Sequence, residues 1–544
     1  MTSAALHPLN FEAAVPQTCI SRGSRTAAHN TGAAETMLME TQHDNDRMVD
    51  VLFTHAYHLA HDPKQLERGQ PYPPLGTLYA AAMARSNGFN VAVFDSMLED
   101  PRVGFVLALE QHRPRVVVLF EDSFNFLSKM CLLRSRELSW QMCAMASAAG
   151  CMVMVHGSDA ADHVDEYLDH GFDAVLLGEG EQTVCDLLDT ILRHGETKGW
   201  AIPGLAWRDS ASGRTVKTAS RPPERDLSRL PMPARDLAPI SAYADIWRRS
   251  SGYFSTNVVA SRGCPFRCNW CAKPIFGNGY SLRPAESVAL EIAELKVRFG
   301  IQHVWFADDI FGLNARWTQD FADAMERHDS VIPFKIQSRA DLMHPETVAH
   351  LARAGCKEIW MGVESGAQSV LDAMDKGLRV EKVFTARKLL QEHRIRACYF
   401  LQFGYPGEGL KEIEQTIKLV RSTKPDDIGV SVSYPLPNTA FFDRVGEQLG
   451  EKRNWVHSGE LSMMFRSAYS TEFYRSLRNA LHFEVAQENL PQNRRCAEEL
   501  DRLWREVYAL ELVCRTPQPT SLPIYPQLTP IMPAECEATD AAIA

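Results

Sequence analysis

No stretch of this 544-residue chain is apolar for the roughly 20 residues that a membrane-spanning helix needs. The leader, to about residue 47, is rich in Ala, Thr and polar side chains and has no apolar h-region, so it reads as a disordered segment and not a secretory signal. Positive charge is not in excess. Lys and Arg total 57 against 68 Asp and Glu, a formal charge of −11, which argues against a nucleic-acid-binding surface. The 13 cysteines are odd in number and scattered apart from one group. That is no disulfide framework, and it suits a reducing cytoplasm. What is present is an ordinary globular composition, 45% apolar, and enough length for two or three domains.

The one cysteine group is Ser261-Arg262-Gly263-Cys264-Pro265-Phe266-Arg267-Cys268-Asn269-Trp270-Cys271, a C-x3-C-x2-C run. Three thiolates so spaced can hold three irons of a [4Fe–4S] cluster and leave the fourth open to a ligand. Zinc is the alternative, but a structural zinc takes four ligands, commonly from two cysteine pairs. No second pair follows at finger spacing, and Cys356 and Cys398 are single and far apart along the chain.

From Asp50, short apolar runs alternate with helical stretches. Strands are expected at Val51-Leu52-Phe53, 91–94, 115–120, 152–155 and 174–177, with a helix from Leu75 introduced by Pro73-Pro74. Apolar strands separated by helices imply a parallel sheet covered on both faces, a doubly wound Rossmann-like α/β domain over 48–197. Its ligands belong at the carboxyl ends of the strands. There stand His156-Gly157-Ser158-Asp159 and Gly178-Glu179-Gly180-Glu181, whose glycines permit close backbone approach or simply make a strand-to-helix turn. Residues 198–245 read as a linker, broken by Arg221-Pro222-Pro223 and Leu230-Pro231-Met232-Pro233.

A second series follows over 246–450, with strands at 257–260, 301–307, 334–337, 358–363, 396–403 and 428–433. Between the first two lies a helix whose Val288, Ile292, Leu295 and Phe299 share one face. Barrel chemistry sits at strand carboxyl ends, here Asp308-Asp309, Ser338-Arg339, Glu364-Ser365-Gly366, the 404–408 turn and the 435–439 turn. Residues 451–515 read as a helical cap, with helices at 461–480 and 493–512 carrying Phe465, Tyr469, Phe473, Tyr474, Trp504 and Tyr508, an aromatic stripe of the kind that is usually core. Substrate identity is expected to be written in this cap. The Pro-rich stretch 516–544 reads as a disordered tail.

The cysteine spacing, with an aromatic residue just before the last thiol, resembles that of the radical S-adenosylmethionine (radical SAM) enzymes. The run Pro74-Leu75-Gly76, a strand ending in Asp95, then the 156–159 and 178–181 loops, is similar to the cobalamin (B12)-binding domain that precedes many of their partial (β/α)6 barrels. The resemblance implies three cofactors: a [4Fe–4S] cluster on Cys264, Cys268 and Cys271, SAM on its open iron, and cobalamin. For SAM it implies Asp308 or Asp309 at the amino group, Arg339 at the carboxylate in fork geometry, Glu364 and Ser365 at the ribose, Trp270 on the adenine and Ser338 beside them. Structural hydrogen bonds at a barrel rim are the alternative for each. For cobalamin it implies Pro74, Leu75, Gly76, Ser123, Gly157, Ser158, Gly178, Glu179 and Gly180.

The D-x-H-x-x-G motif that supplies a cobalt ligand is absent. His55, His58 and His61 are candidate replacements, weighed against solvated loop histidines. The turns at 277–280 and Asp375-Lys376-Gly377, and Lys273, receive no catalytic role. The implied activity is cobalamin-dependent radical SAM methylation of an unactivated carbon in a small-molecule substrate, through a 5′-deoxyadenosyl radical, with an external electron donor of flavodoxin or ferredoxin type. The rival readings are an oxidative cyclase or ring-rearranging enzyme without methyl transfer, like the anaerobic Mg-protoporphyrin ester cyclase, and a non-catalytic B12 or redox sensor. Methylthiotransferases need a second cysteine cluster, for which Cys131, Cys143 and Cys151 are too widely spaced.

Overall fold

Strands that are apolar at every position must be covered on both sides. Val51–Thr54 (β1), Val116–Phe120 (β3) and Ala174–Leu176 (β5) are buried throughout. With Val91–Val93 (β2) and Met152–His156 (β4) they form a parallel sheet in the order β2-β1-β3-β4-β5. Because side chains alternate faces along a strand, Val51, Phe53, Val116 and Val118 join one apolar cluster, and Leu52, Val117 and Leu119 join another. The order reverses between β1 and β3, so a ligand crevice lies beyond their carboxyl ends. The computed structural model describes residues 49–125, 130, 132–195, 199–450, 454–488 and 494–515. The leader and tail expected from sequence lie outside these, as does Cys131.

The stretch read as a linker is not structureless. Leu205–Arg208 (β6) and Thr215–Lys217 (β7) form an antiparallel hairpin that extends the sheet beyond β5. Further along, Ile240–Ser251 is a helix that crosses the expected domain boundary.

The second sheet contains Ser255–Val258 (β8), His303–Phe306 (β11), Phe334–Ser338 (β12), Cys356–Glu364 (β13), Arg396–Phe403 (β14) and Asp427–Val432 (β15). All neighbours are parallel, in sequential order from β8 to β15, as six βα units of a partial barrel require. Burial alternates along β12 and β15, one face packing on the surrounding helices. Two very short strands, Ser261–Arg262 (β9) and Ser281–Leu282 (β10), pair antiparallel between β8 and β11.

A barrel that does not close leaves β8 and β15 with unpaired edges. The segment at 70–74 of the first domain lies along β8. Asn257 Nδ2 donates to Pro73 O at 2.9 Å, Trp247 Nε1 donates to Pro71 O at 2.6 Å, and Tyr72 packs on Trp305 with ring centroids 4.7 Å apart. On the far edge, helix Thr471–Glu488 packs against β15, with Phe473, Leu477 and Leu481 fully buried. That helix starts ten residues later than the aromatic pattern suggests. Phe465 and Tyr469 are buried from non-helical chain, so their spacing is set by packing and not by a helical face.

Buried charge ties the two sheets together. Arg235, from the stretch between the domains, and Arg283, just after β10, converge on Glu291 at 3.2 and 2.6 Å, and all three side chains are about 5% exposed or less. Arg283 also reaches the hydroxyl of Tyr79, on the first domain's helix Leu75–Ser86, at 3.2 Å. Removing one member of a buried ion network leaves its partners uncompensated. Glu291→Gln is therefore expected to lower the unfolding free energy by about 3 kcal/mol, read from urea unfolding of the apo-protein.

Candidate functional site

The pairing of β9 with β10 closes the neck of a loop, 263–280, that leaves the carboxyl end of β8. Gly263 has φ +80°, and a Cβ there would lie 2.4 Å from Gly279 O, so the neck admits only glycine. Inside the loop Cys264, Cys268 and Cys271 are half-buried free thiols. The Cys264 and Cys271 sulfurs feel the charge at Cys268. Burial pushes the Cys271 thiol up to about 12, so metal coordination is the route to its thiolate.

Asn269 pins this loop. Its backbone N–H donates to Met374 O at 3.0 Å, and its Nδ2 donates to Ala373 O and to Asp375 Oδ2, each at 2.8 Å. Its Oδ1 accepts from Tyr405 OH at 2.9 Å. Lys273 folds back onto Phe266 O and Asn278 Oδ1.

The strand-end residues divide into two groups. Asp308 is buried and accepts from the Ala260 N–H at 3.1 Å and from the Ser261 hydroxyl, and burial raises its carboxyl to about 7. Ser338 donates to Phe311 O at 2.8 Å. Ser365 bonds Thr416 Oγ1 at 3.1 Å and accepts from the Ala367 N–H. These three are engaged in holding strand ends together. Asp309, half-exposed beside Asp308, sits where its charge reaches the thiols of Cys264 and Cys271. Arg339 forms a bidentate pair with Asp341 at 2.9 and 2.8 Å and lies 3.9 Å from the Phe266 ring centroid. Its Nη1 is buried without an acceptor, and so is Trp270 Nε1. Glu364, at φ +64°, accepts from Lys376 Nζ at 2.8 Å in a buried pair. Lys376 thus belongs to the site although the sequence alone gave its turn no role.

At the carboxyl ends of the first sheet, the glycine loops are mostly packed on their own neighbours. A Cβ at Gly157 would meet the Glu121 side chain at 2.9 Å, and one at Gly180 would meet His156 Cδ2 at 2.6 Å. Gly76 donates its N–H to Asp122 Oδ1 at 2.9 Å, and a Cβ there would lie 3.1 Å from Ser123 N. Leu75 and Ser158 are buried, and Pro74 precedes the first turn of helix Leu75–Ser86. Glu179 bonds Arg262 Nη1 at 2.9 Å. Gly178 is different: a Cβ there would meet nothing within 4 Å. Ser123 Oγ and His156 Nδ1 are buried without partners.

The histidines of the β1 loop are not solvated alternatives. His55 is 1% exposed, its Nε2 bonded to Asp95 Oδ1 at 2.9 Å and its Nδ1 within 3.3 Å of both the Tyr57 N–H and Ser96 Oγ. Neither ring nitrogen is available to a metal. Tyr243 OH donates to the same aspartate at 2.6 Å, and burial raises nearby Glu121 to about 7. His58 is half-buried on Ser96 O at 2.8 Å, and His61 is half-buried.

A cavity of about 490 Å³ opens between the two sheets. Cys271 and Lys273 line it from the cysteine loop, Asp162 and Gly178 from the first sheet's loops, Arg221 from the connecting segment and Asn438 from the turn after β15.

Residues 258–420 match the radical SAM superfamily, and the chain carries that family's domain. Among its relatives is an uncharacterized methyltransferase of Pyrococcus horikoshii, 27% identical over 56% of this chain and 68% of that protein. Another is the anaerobic magnesium-protoporphyrin IX monomethyl ester cyclase of Rubrivivax gelatinosus, 25% identical over 71% of this chain and 69% of that protein. Two solved structures share its fold. The radical SAM methyltransferase TsrM of Kitasatospora setae, with cobalamin and a [4Fe–4S] cluster bound, has a TM-score of 0.59 at 18% identity, over 74% of this chain and 75% of that one. The cobalamin-dependent radical enzyme OxsB has a TM-score of 0.65 at 14% identity, over 87% of this chain and 73% of that one. The two-sheet fold is therefore that of the cobalamin-binding radical SAM enzymes.

One rim residue supplies a test of the electrostatics. Glu408 accepts from the Gly404 N–H, its other oxygen is buried without a donor, and burial raises its carboxyl to about 8. An acid whose pKa rises on folding stabilises the fold while protonated. That contribution is complete below its unfolded value near 4.5 and is lost as pH rises through about 8. Glu408→Gln is expected to flatten the fall in unfolding free energy across that window, measured by urea titrations at a series of pH values.

Proposed function

We propose that this chain is a cobalamin-dependent radical SAM methyltransferase acting on an unactivated carbon of a small metabolite in the cytoplasm. The observation that carries this reading is the shared cavity: one space touches both Cys271 and Gly178. A ligand held there meets the cluster loop on one side and the strand-end loops of the first sheet on the other.

The residues suit the groups they would hold. Cys264, Cys268 and Cys271 would ligate three irons of the cluster. Arg339 has a buried, unused donor for the SAM carboxylate, while Asp341 fixes its fork. Asp309 would take the SAM amino group, Glu364 with Lys376 the ribose, and Trp270 the adenine. Gly178 presents open backbone to cobalamin, with Ser123 and His156 supplying unpaired polar atoms near it. When bound, the three cofactors supply the radical and the methyl chemistry. The protein fixes them in register and shields the cavity from water. An external donor of flavodoxin or ferredoxin type would deliver the electron. No helix among the described residues is long and apolar enough to cross a membrane. A second reading, cyclisation without methyl transfer, is favoured by the cyclase relative, which aligns over 71% of this chain.

The deciding experiment is anaerobic reconstitution with cobalamin supplied, followed by iron, sulfide and cobalt counts and SAM labelled in its methyl group. One four-iron cluster beside near-stoichiometric cobalt, with label appearing in product, is the expected result. Cysteine-to-alanine variants at 264, 268 or 271 should lose the cluster absorption and all SAM cleavage. SAM cleavage with cobalt retained and no label transferred would move the assignment to the cyclase reading.

A further inference from the structure

Arg262 stands two residues before Cys264, yet its charge is met entirely from the other sheet. Its Nη1 donates to Glu179 Oε2 at 2.9 Å and its Nη2 donates to Glu181 Oε1. The three side chains are 2, 12 and 6% exposed. The guanidinium carbon lies 5.1 Å from the ring centroid of Phe276, inside the cysteine loop, and 5.7 and 5.8 Å from those of Tyr79 and Phe124 in the first domain.

The carboxylates themselves are held in place. His156 Nε2 and Gly178 O lie 2.9 Å apart, and Gly180 sits directly on the His156 ring, which stacks on Phe120 with centroids 3.9 Å apart. A continuous run of fixed contacts therefore leads from β4, through the 178–181 loop, to the neck of the cysteine loop.

We propose that Arg262 is a positioning residue for the iron–sulfur loop, and that the 178–181 loop serves it by clamping the cysteines instead of ligating cobalamin through Glu179. This deepens the functional reading above and rests on it for the identity of the cluster. A guanidinium shared by two carboxylates fixes direction as well as charge. The clamp therefore sets where Cys264 stands relative to Cys268 and Cys271, and the geometry of the cluster depends on the first domain.

The test uses the full-length protein, reconstituted anaerobically, carrying Glu179→Gln and Glu181→Gln together. This pair keeps side-chain shape and removes the charge that orients Arg262. Arg262→Met is the stronger variant, and if it fails to fold, the glutamine pair still decides. The readouts are iron content, the paramagnetic resonance spectrum of the reduced cluster with and without SAM, and the SAM cleavage rate, none of which requires cobalamin. The expected result is a cluster with full iron but an altered spectral response to SAM, and cleavage slowed at least tenfold. An unchanged spectrum and rate would overturn the proposal. Cobalt retention, counted separately in the wild type, decides the cobalamin reading on its own. If the wild type retains cobalt, loss of cobalt in Glu179→Gln with a normal cluster would return that residue to the cofactor and also overturn the assignment.

Discussion

A parallel sheet that curves without closing carries two raw edges, and the architecture of this protein follows from covering them. Unsatisfied backbone groups along an edge invite pairing with any other chain. The proline-rich segment at 70–74 can run beside β8 because prolines have no N–H to satisfy, and its carbonyls take side-chain donors from Asn257 and Trp247. On the other side the helix Thr471–Glu488 supplies an apolar face to β15. The first domain is thus a wall of the barrel as well as a module set before it.

That wall is fastened by charge more than by grease. Arg235, Arg283 and Glu291 form one buried group, and Arg262, Glu179 and Glu181 another. Buried ion groups add little net stability compared with apolar packing of equal volume, because desolvation offsets the attraction. They do penalise every misaligned docking, since a shifted interface strands a charge. For a catalyst that must hold two cofactors against one cavity, an interface with a single allowed register is the useful property.

Much of this was legible in the sequence, for physical reasons. Ten of the strands announced themselves as uninterrupted or alternating apolar runs, such as 116–120, and the cysteine spacing declared its chemistry. Asp308, by contrast, looks the same as Asp309 in a strand-end pair, and only the structure shows it engaged with Ala260 and Ser261. His55 reads as a loop histidine because its partner, Asp95, lies 40 residues away. The β6–β7 hairpin was hidden by the prolines that flank it. Lys376 and Asn269 gave no signal, since their partners come together only when the barrel folds. In the 178–181 loop the glycines were visible, but two carboxylates pairing with an arginine more than 80 residues on were not.

The rim of the cavity has a different character from the interface around it. Asn438 Nδ2 donates to Asp162 Oδ1 at 2.7 Å, and both residues line the space between the sheets. Asn438 holds φ +58°, a conformation that asparagine tolerates better than most residues. A single hydrogen bond to a charged group is worth about 1.5–3 kcal/mol, far less than unseating two buried ion groups. Traffic through this doorway can therefore proceed while the frame stays shut: a substrate enters and a product leaves by parting one side-chain bond, and turnover does not require the domains to separate.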